Sequence, residues 1–523
     1  MGQAIGIDFG TTNTVVSYKN KRGNLRPLNY NGNILIPSVI YFKTKDNYLI
    51  GHSAKNNLAT NPAACVESFK SKLGEKGYVD KVTATNGDKF NLAPRRAVKL
   101  FLGKIINDVE QILFKEFGTD EGVIDRVVIT VPAKFNPTEI EAIKKAAGDA
   151  LNLKVRAVFE PTAAAVAAME EDGEEVNKVL IYDLGGGTFD VSLIQRDSER
   201  NKFKHVLPAD GDKNLGGNLF TEMLAEKLLT WANEEYGTEF KMDYFDEEDY
   251  GITETEHKKN LIAIRREANR IKEELSDTEE EDAAFDFWTS AGNSERISFP
   301  VTRKEFEKLI KKKVMETVKK TYETVHSPEA EAIDEIDKII LAGGSSKIPL
   351  IKDLLTEKLD REVECSDEVS TLISRGAAIL AQNIDKLDDI EQVTSFQIGV
   401  AATEGLNFGK FQMIIPENVQ LPYSNSRDFK LAQDGQRGLD ISYYEYDVKK
   451  FPKAKRTSEE GFQEIDVLHI DLPEGLKKDN TTVRVTFDVK KDGSLNLSAE
   501  ILDNNGNKID SGELHVDKES DLL

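Results

Sequence analysis

Two short stretches of the 523-residue chain carry residue types suited to phosphate chemistry. In the first, Asp8 closes an apolar run and Gly10-Thr11-Thr12-Asn13 follows. In the second, Asp183 closes Val179-Leu180-Ile181-Tyr182, Gly185-Gly186-Gly187-Thr188 follows, and Asp190 lies just beyond. Glycines let the backbone turn tightly and aim N–H groups at an anion. Hydroxyls and amides supply further donors. Carboxylates at strand ends suit Mg²⁺, which keeps most of its waters. The GxxxxGK[ST] spacing is absent, so neither stretch is a Walker A loop. One such turn alone reads as a structural hairpin. Two, each carrying an Asp, would clamp a polyphosphate from both sides.

The elements that must hold these loops are legible around them. Each loop joins two apolar strands, so the pair reads as two β-hairpins of an internally duplicated α/β protein. Asn136-Pro137-Thr138-Glu139 is a helix start, with Asn as cap, Pro in the first turn and Glu at the third position. From Glu254 to Leu275, Leu261, Ile264, Ala268, Ile271 and Leu275 fall three or four apart and mark one buried helical face. A further helix is expected over 303–326. The strand Lys338–Ala342 then meets Gly343-Gly344-Ser345-Ser346-Lys347. Beyond residue 387 only strands and turns follow, expected over 394–402, 411–416, 427–433, 438–446, 463–470, 481–489, 494–502 and 508–516. Asp492-Gly493 and Asn505-Gly506 mark hairpin turns. The division is an α/β part over 1–386, a polar junction over 387–393, an all-β part over 394–516 and a tail over 517–523.

Composition removes several classes. Lys plus Arg number 69 against 92 Asp plus Glu, a formal charge of −23, which disfavours nucleic acid as a partner. With 39% apolar and 31% charged residues the chain reads as globular rather than disordered. No apolar run reaches the roughly 18 residues of a membrane span, so no membrane association is expected. Cys65 and Cys365 form no CxxC pair, which suits a reduced, cytoplasmic protein. The histidines show no HxxxH spacing for zinc. The acidic stretches 243–249 and 277–286 read as solvated surface.

The chain resembles the 70-kDa heat-shock chaperones (DnaK-like), within the actin and sugar-kinase superfamily of ATPases. The resemblance rests on Ile7–Asn13, Ile129-Thr130-Val131-Pro132-Ala133-Lys134-Phe135, Glu160-Pro161-Thr162-Ala163-Ala164-Ala165, Tyr182–Asp190, Gly211–Gly217 and Leu341–Ser345, in that order, and extends to about residue 516. It implies a two-lobed actin-like ATPase domain with a duplicated ribonuclease-H-like core, followed by a β-sandwich that binds extended apolar peptides. Asp8, Thr11, Asp183, Thr188 and Asp190 would surround Mg²⁺, K⁺ and the phosphates of ATP or ADP. Lys70 matches the family's catalytic lysine, although from pattern alone it is an ordinary surface lysine. Glu160 and Asp183 match carboxylates that position the attacking water or its metal. Gly216, Gly217, Lys272, Ser276, Gly343, Gly344, Ser345 and Lys347 match the nucleotide pocket. Pro132 and Glu160 match a relay to the interdomain face. A J-domain co-chaperone and a nucleotide-exchange factor are implied as partners, besides unfolded peptide.

Departures from the family pattern carry expectations of their own. Asn269 and Glu273 stand where Glu and Arg are usual, and Lys347 replaces an arginine, losing its planar fork. Ser370-Thr371 replaces an Asp-Glu pair. In the sandwich, Val400, Phe429, Ala432, Leu439 and Ile441 match peptide-binding positions. Thr403 falls beside the family's arch, and Thr403–Gly409 reads as an insertion in a pocket-forming loop. Phe429 and Ile441 read as core on strand pattern alone. Lys134 and Ile140 replace Tyr and Arg on the interdomain face. The Leu-rich linker becomes Asp389-Ile390-Glu391-Gln392, with Ile390 its apolar contact, and so polar a run is expected to dock poorly. The chain ends at Leu523 without the helical lid, so fast peptide release is expected. An ATP-binding adaptor with uncoupled ATPase is the alternative reading, and a metabolite kinase of the same superfamily ranks below it.

Overall fold

The computed structural model describes all residues except 1, 59, 76, 119–121, 152, 154, 173–175, 198–201, 208–209, 328–334, 366–367, 384–389, 395, 405–406, 418, 449–450 and 515–523. The expected tail and linker residues 387–389 therefore lie outside the described residues.

Two sheets repeat one arrangement. In the first lobe, β1 (Gln3–Phe9) pairs antiparallel with β2 (Asn13–Lys19) and parallel with β3 (Ile124–Val131), which pairs parallel with β4 (Arg156–Phe159). In the second lobe, β5 (Lys178–Leu184) pairs antiparallel with β6 (Phe189–Asp197). There β6 continues to β7 (Lys202–His205), and β5 takes β8 (Lys338–Ala342) as its parallel neighbour. Each Asp-bearing turn thus joins a hairpin whose first strand has a parallel partner, which is the expected duplication.

The helices begin where local chemistry permits. In α1 (Pro137–Leu151) the Asn136 amide donates to Glu139 Oε2 at 2.7 Å, and the Glu139 amide donates to Asn136 Oδ1 at 2.9 Å, closing a reciprocal cap. α2 (Glu160–Asp172) and α3 (Gly217–Tyr236) follow. α4 (Glu254–Glu274) and α5 (Arg303–Val325) open on capping boxes at Thr253/Glu256 and Thr302/Glu305. The expected face of α4, Leu261, Ile264, Ala268 and Ile271, is buried.

α6 (Leu372–Gln382) crosses α2 between the two sheets. That core joins Ala4, Val128 and Val158 of the first sheet to Val179, Ile181 and Ile340 of the second. Its helices are lined with alanine because the crossing is tight: a Cβ on Gly376 would lie 1.7 Å from the Ala163 carbonyl oxygen.

The linker strand β9 (Ile390–Glu391) adds to the second lobe's sheet, parallel to β7, with Phe203 opposite Ile390 and Lys204 opposite Glu391. Ile390 and Glu391 of the polar junction are therefore docked. The pairing is made by main-chain groups, which do not require apolar side chains.

The sandwich contains β10 (Gln397–Glu404), β11 (Asn407–Ile415), β12 (Tyr423–Lys430), β13 (Gly438–Tyr446), β14 (Phe462–Asp471), β15 (Thr482–Val489), β16 (Leu495–Leu502) and β17 (Lys508–Leu514). Its sheets run β11-β10-β13-β14 and β12-β15-β16-β17. Two expectations need correction. Most of Thr403–Gly409 belongs to the strands of the β10–β11 hairpin, because pairing continues as far as Glu404 with Asn407. β12 starts four residues before the expected 427, because this edge strand is mostly exposed and shows no apolar alternation.

Replacing Gly376 by Val should destabilise the α/β part by about 3 kcal/mol, since overpacking here meets backbone rather than a movable side chain. Denaturant unfolding monitored by circular dichroism would read the shift, and an unchanged midpoint would contradict the tight crossing.

Candidate functional site

The two Gly/Thr loops meet at the mouth of one cleft. A Cβ on Gly186 would lie 2.1 Å from Thr12 Oγ1, so that contact between the lobes requires glycine. Thr12 Oγ1 also donates to Asn218 Oδ1 at 3.2 Å, tying the first loop to the start of α3. The amides of Gly217 and Asn218 donate to the carbonyls of Gly185 and Gly186 at 2.9 and 2.7 Å, so the helix N-terminus anchors the second loop. Gly343, at φ 76°, passes so close that a Cβ would meet Leu184 O at 2.4 Å. Ser345 Oγ donates to the Gly185 carbonyl at 3.0 Å.

Between the loops lies a cavity of about 460 Å³. Asp8, Gly10, Thr11, Thr12, Asn13, Lys70, Glu160, Asp183, Gly185, Gly186, Gly187 and Thr188 line it, as do Lys272, Ser276, Gly343, Gly344, Ser345 and Lys347. Three expected residues stand behind the wall. Gly216 and Gly217 support the second loop. Asp190 is buried opposite Asp183 in the β5–β6 hairpin. His52 and Lys55 also line the cavity, but no motif marked them.

Lys70 is not a surface lysine. It is buried, its Nζ donating to Glu160 Oε1 at 2.7 Å and to the Phe9 carbonyl. Phe69 carries it into the core against Phe9 and Phe101. Glu160, the first residue of α2, is buried with it.

The carboxylates crowd around Lys70. Burial, then the charge of Glu160, push Asp8 up to about 7; Thr130 Oγ1 donates to its Oδ1 at 3.2 Å. Burial and the charges of Glu160, Asp190 and Asp8 hold Asp183 well above the usual carboxylate range. Asp190 is raised by burial and by Glu160, and its Oδ1 has no hydrogen-bond partner. Such a set fits a divalent cation, which would offset the repulsion. Among the described residues, no three acidic, His or Cys side chains close around one point. That suits Mg²⁺, which is usually held by one or two carboxylates, its waters and phosphate oxygens.

At the far end of the cleft, Lys272 Nζ donates to Gly217 O at 3.2 Å, Thr221 Oγ1 at 2.9 Å and Asn269 Oδ1 at 2.9 Å. All three acceptors are neutral. Burial pushes its ammonium down to about 8, with Lys55 acting in the same direction. Asn269 Nδ2 donates to Glu273 Oε1 at 2.8 Å, so the two departures on α4 hold each other.

Elsewhere, Pro132 is buried where β3 ends, its carbonyl accepting from the Phe135 amide at 3.1 Å. Val400 and Ile441 belong to the sandwich core, and Phe429 and Leu439 pack half-buried against it. Ala432 is exposed, and the Thr403 side chain lies outside the described residues.

Two pH effects follow. A raised Asp8 makes the folded, nucleotide-free chain bind a proton more readily than the unfolded chain. Its contribution to stability therefore falls as pH rises from its ordinary 3.8 to about 7 and then levels. Chemical denaturation between pH 5 and 8 should show this slope, reduced in Asp8→Asn. Lys272 loses its charge as pH passes about 8, so affinity of this cleft for a polyanion such as ATP should weaken above that pH. Calorimetric titrations should show the decline in the parent chain and its absence in Lys272→Met.

A family model described as "Hsp70 protein" matches residues 4–520. "Chaperone protein DnaK" from Thermotoga petrophila is 30% identical over 511 residues, 95% of this chain and 78% of that protein. The protein of the same name from Thermosipho melanesiensis is 29% identical over 509 residues, 95% of this chain and 78% of its own length. That from Buchnera aphidicola subsp. Schizaphis graminum is 27% identical over 526 residues, 96% of this chain and 77% of its own length. No described helix is long and apolar enough to cross a membrane. A match over nearly the whole sequence, joined to a cleft built from the same motifs, means that this chain belongs to the Hsp70 family.

Proposed function

We propose how this chain, an ATP-dependent chaperone that hydrolyses ATP to ADP and phosphate, divides its work among its residues. The loops at Gly10–Asn13 and Gly185–Thr188 hold the phosphates from the two sides. Asp8 and Asp183 would hold Mg²⁺ through its waters, with Asp190 behind them, and K⁺ would take the same carboxylate-rich region. Mg²⁺, when bound, neutralises charge on the phosphate oxygens. Lys70 lies towards the γ-phosphate, where its ammonium orients the attacking water and stabilises charge as the bond to the leaving oxygen breaks. Glu160 fixes that ammonium. Turnover rests on positioning of the water and phosphate by these groups, and is expected to be slow.

The observation that carries this reading is the Lys70–Glu160 pair, 2.7 Å apart and buried between the two loops. Glu160 opens α2, and Phe159 just before it donates its amide to Gln392 Oε1 beyond the linker strand, at 3.1 Å. A path from the cleft to the linker therefore passes through adjacent residues. Pro132 stiffens the neighbouring strand end.

The sandwich captures extended apolar segments by strand-like pairing. Phe429, Ala432 and Leu439 are exposed or half-buried positions available to a client, with Val400 supporting them from the core; Thr403 is retained as a peptide-binding position from the resemblance alone. A J-domain co-chaperone and a nucleotide-exchange factor complete the cycle in the cytoplasm.

ATP turnover of the full chain, with and without a short apolar peptide, tests the assignment. Lys70→Ala should lower kcat about 100-fold or more, as loss of a transition-state donor does, with ATP still bound. Unchanged turnover in that variant would remove Lys70 from the mechanism. Turnover that requires Lys70 but ignores peptide would detach the sandwich from the cycle.

A further inference from the structure

Lys213 stands where three parts of the chain meet. It follows the short second-lobe strand Asp210–Asp212, whose Gly211 pairs with Asp190 of β6 behind the nucleotide cleft. Four residues on, α3 begins, and its Gly217 and Asn218 amides hold the second Gly/Thr loop through the Gly185 and Gly186 carbonyls. The Lys213 Nζ lies 3.5 Å from Glu139 Oε2, in the cap of α1 in the first lobe, and 3.6 Å from Glu445 Oε1, in β13 of the sandwich. One short segment thus supports a loop of the cleft and is ion-paired with both other parts of the chain.

The two carboxylates are buried, with 5% and 7% of their side chains exposed, so each depends on a counter-charge. Glu139 cannot follow the lysine if the segment shifts. Its Oε2 also accepts from the Asn136 amide at 2.7 Å, and a Cβ on Gly74 would lie 2.6 Å from its Oε1. Lys213 stays charged: burial pulls its ammonium down, and the charges of Glu139 and Glu445 more than offset this. The ammonium also lies 5.2 Å from the centroid of the Phe396 ring, with that of Lys134 at 4.9 Å. The sandwich therefore offers Lys213 an aromatic face as well as a carboxylate.

We propose that Lys213 is a positioning residue for ATP turnover: through its ion pairs with Glu139 and Glu445 it holds the segment beneath the second Gly/Thr loop in register with the first lobe and the seated sandwich. When the sandwich leaves, Lys213 loses one of its two carboxylates and the Phe396 face together, and the support of the loop loses a tether. The consequence for turnover rests on the ATPase reading of the cleft; the tether itself does not.

The test is hydrogen exchange on the full, nucleotide-free chain at pH 8, above the value of about 7 to which burial pushes Glu445. Protection is read at β9, for the seat, and at the Gly217 and Asn218 amides, for the loop. Lys213→Met leaves two buried carboxylates unpaired and should lower both about tenfold, and Lys213→Arg should restore most of the loss. Combined with Glu445→Gln, Lys213→Met should cost about fivefold less than the product of the two single losses, because the partners act as one. Losses that simply multiply overturn the pairing, and unchanged Gly217 and Asn218 amides in a folded Lys213→Met overturn the support of the loop. In the parent chain, β9 protection should fall as salt rises from about 0.05 M to about 0.5 M, and fall less in the double variant, which keeps Lys144–Asp492. Indifference of the parent chain to salt overturns the proposal, however any variant folds. The KM for ATP should rise several-fold in Lys213→Met and return in Lys213→Arg. Exchange needs no nucleotide, so its outcome stands apart from that of Lys70→Ala, which tests the ATPase reading.

Discussion

The α2–α6 crossing leaves less room than a methyl group, and both lobes depend on it. Helices that approach to backbone contact cannot slide over one another, so the two sheets can move only by turning about the crossing. The glycine at 376 and the alanine run in α2 set that distance. The same helix begins with Glu160, whose carboxylate holds Lys70. A rotation of the lobes is therefore also a displacement of Lys70 among the buried carboxylates of the cleft. Fold and chemistry share a helix, and neither can be rearranged without the other.

The cleft is electrostatically unfinished. Asp8, Asp183 and Asp190 are raised by burial and by one another's charge, with Lys70 as the near counter-charge. Far along the same cleft, Lys272 is a buried cation held by neutral oxygens. Both ends are unfavourable alone and complementary to one ligand. A metal–polyphosphate complex would supply positive charge to the carboxylates and negative charge to the lysine. Binding energy spent on relieving such strain is also energy available to close the lobes.

Much of this was legible from residue order. The strand–Asp–Gly/Thr–strand units and the capping residues before α1 identified their own structures, because each is determined by neighbours in sequence. The placement of Lys70 was not. Its pattern is that of an exposed lysine, and only the resemblance marked it, since burial comes from packing Phe69 against Phe9 and Phe101. Gly376 carried no sign either, because a helix-interior glycine is explained only by what crosses it. β12 was misplaced because an exposed edge strand needs no alternation.

The linker strand has a consequence for sequence drift. Its pairing with β7 uses amide and carbonyl groups that every residue other than proline possesses in full. Such a contact constrains the length and extended shape of the segment far more than its side chains. A linker bearing a glutamate can fit the same slot as an apolar one, as Ile390–Glu391 does here. A single proline whose missing N–H falls within the pairing would close the slot to it, whatever its hydrophobicity.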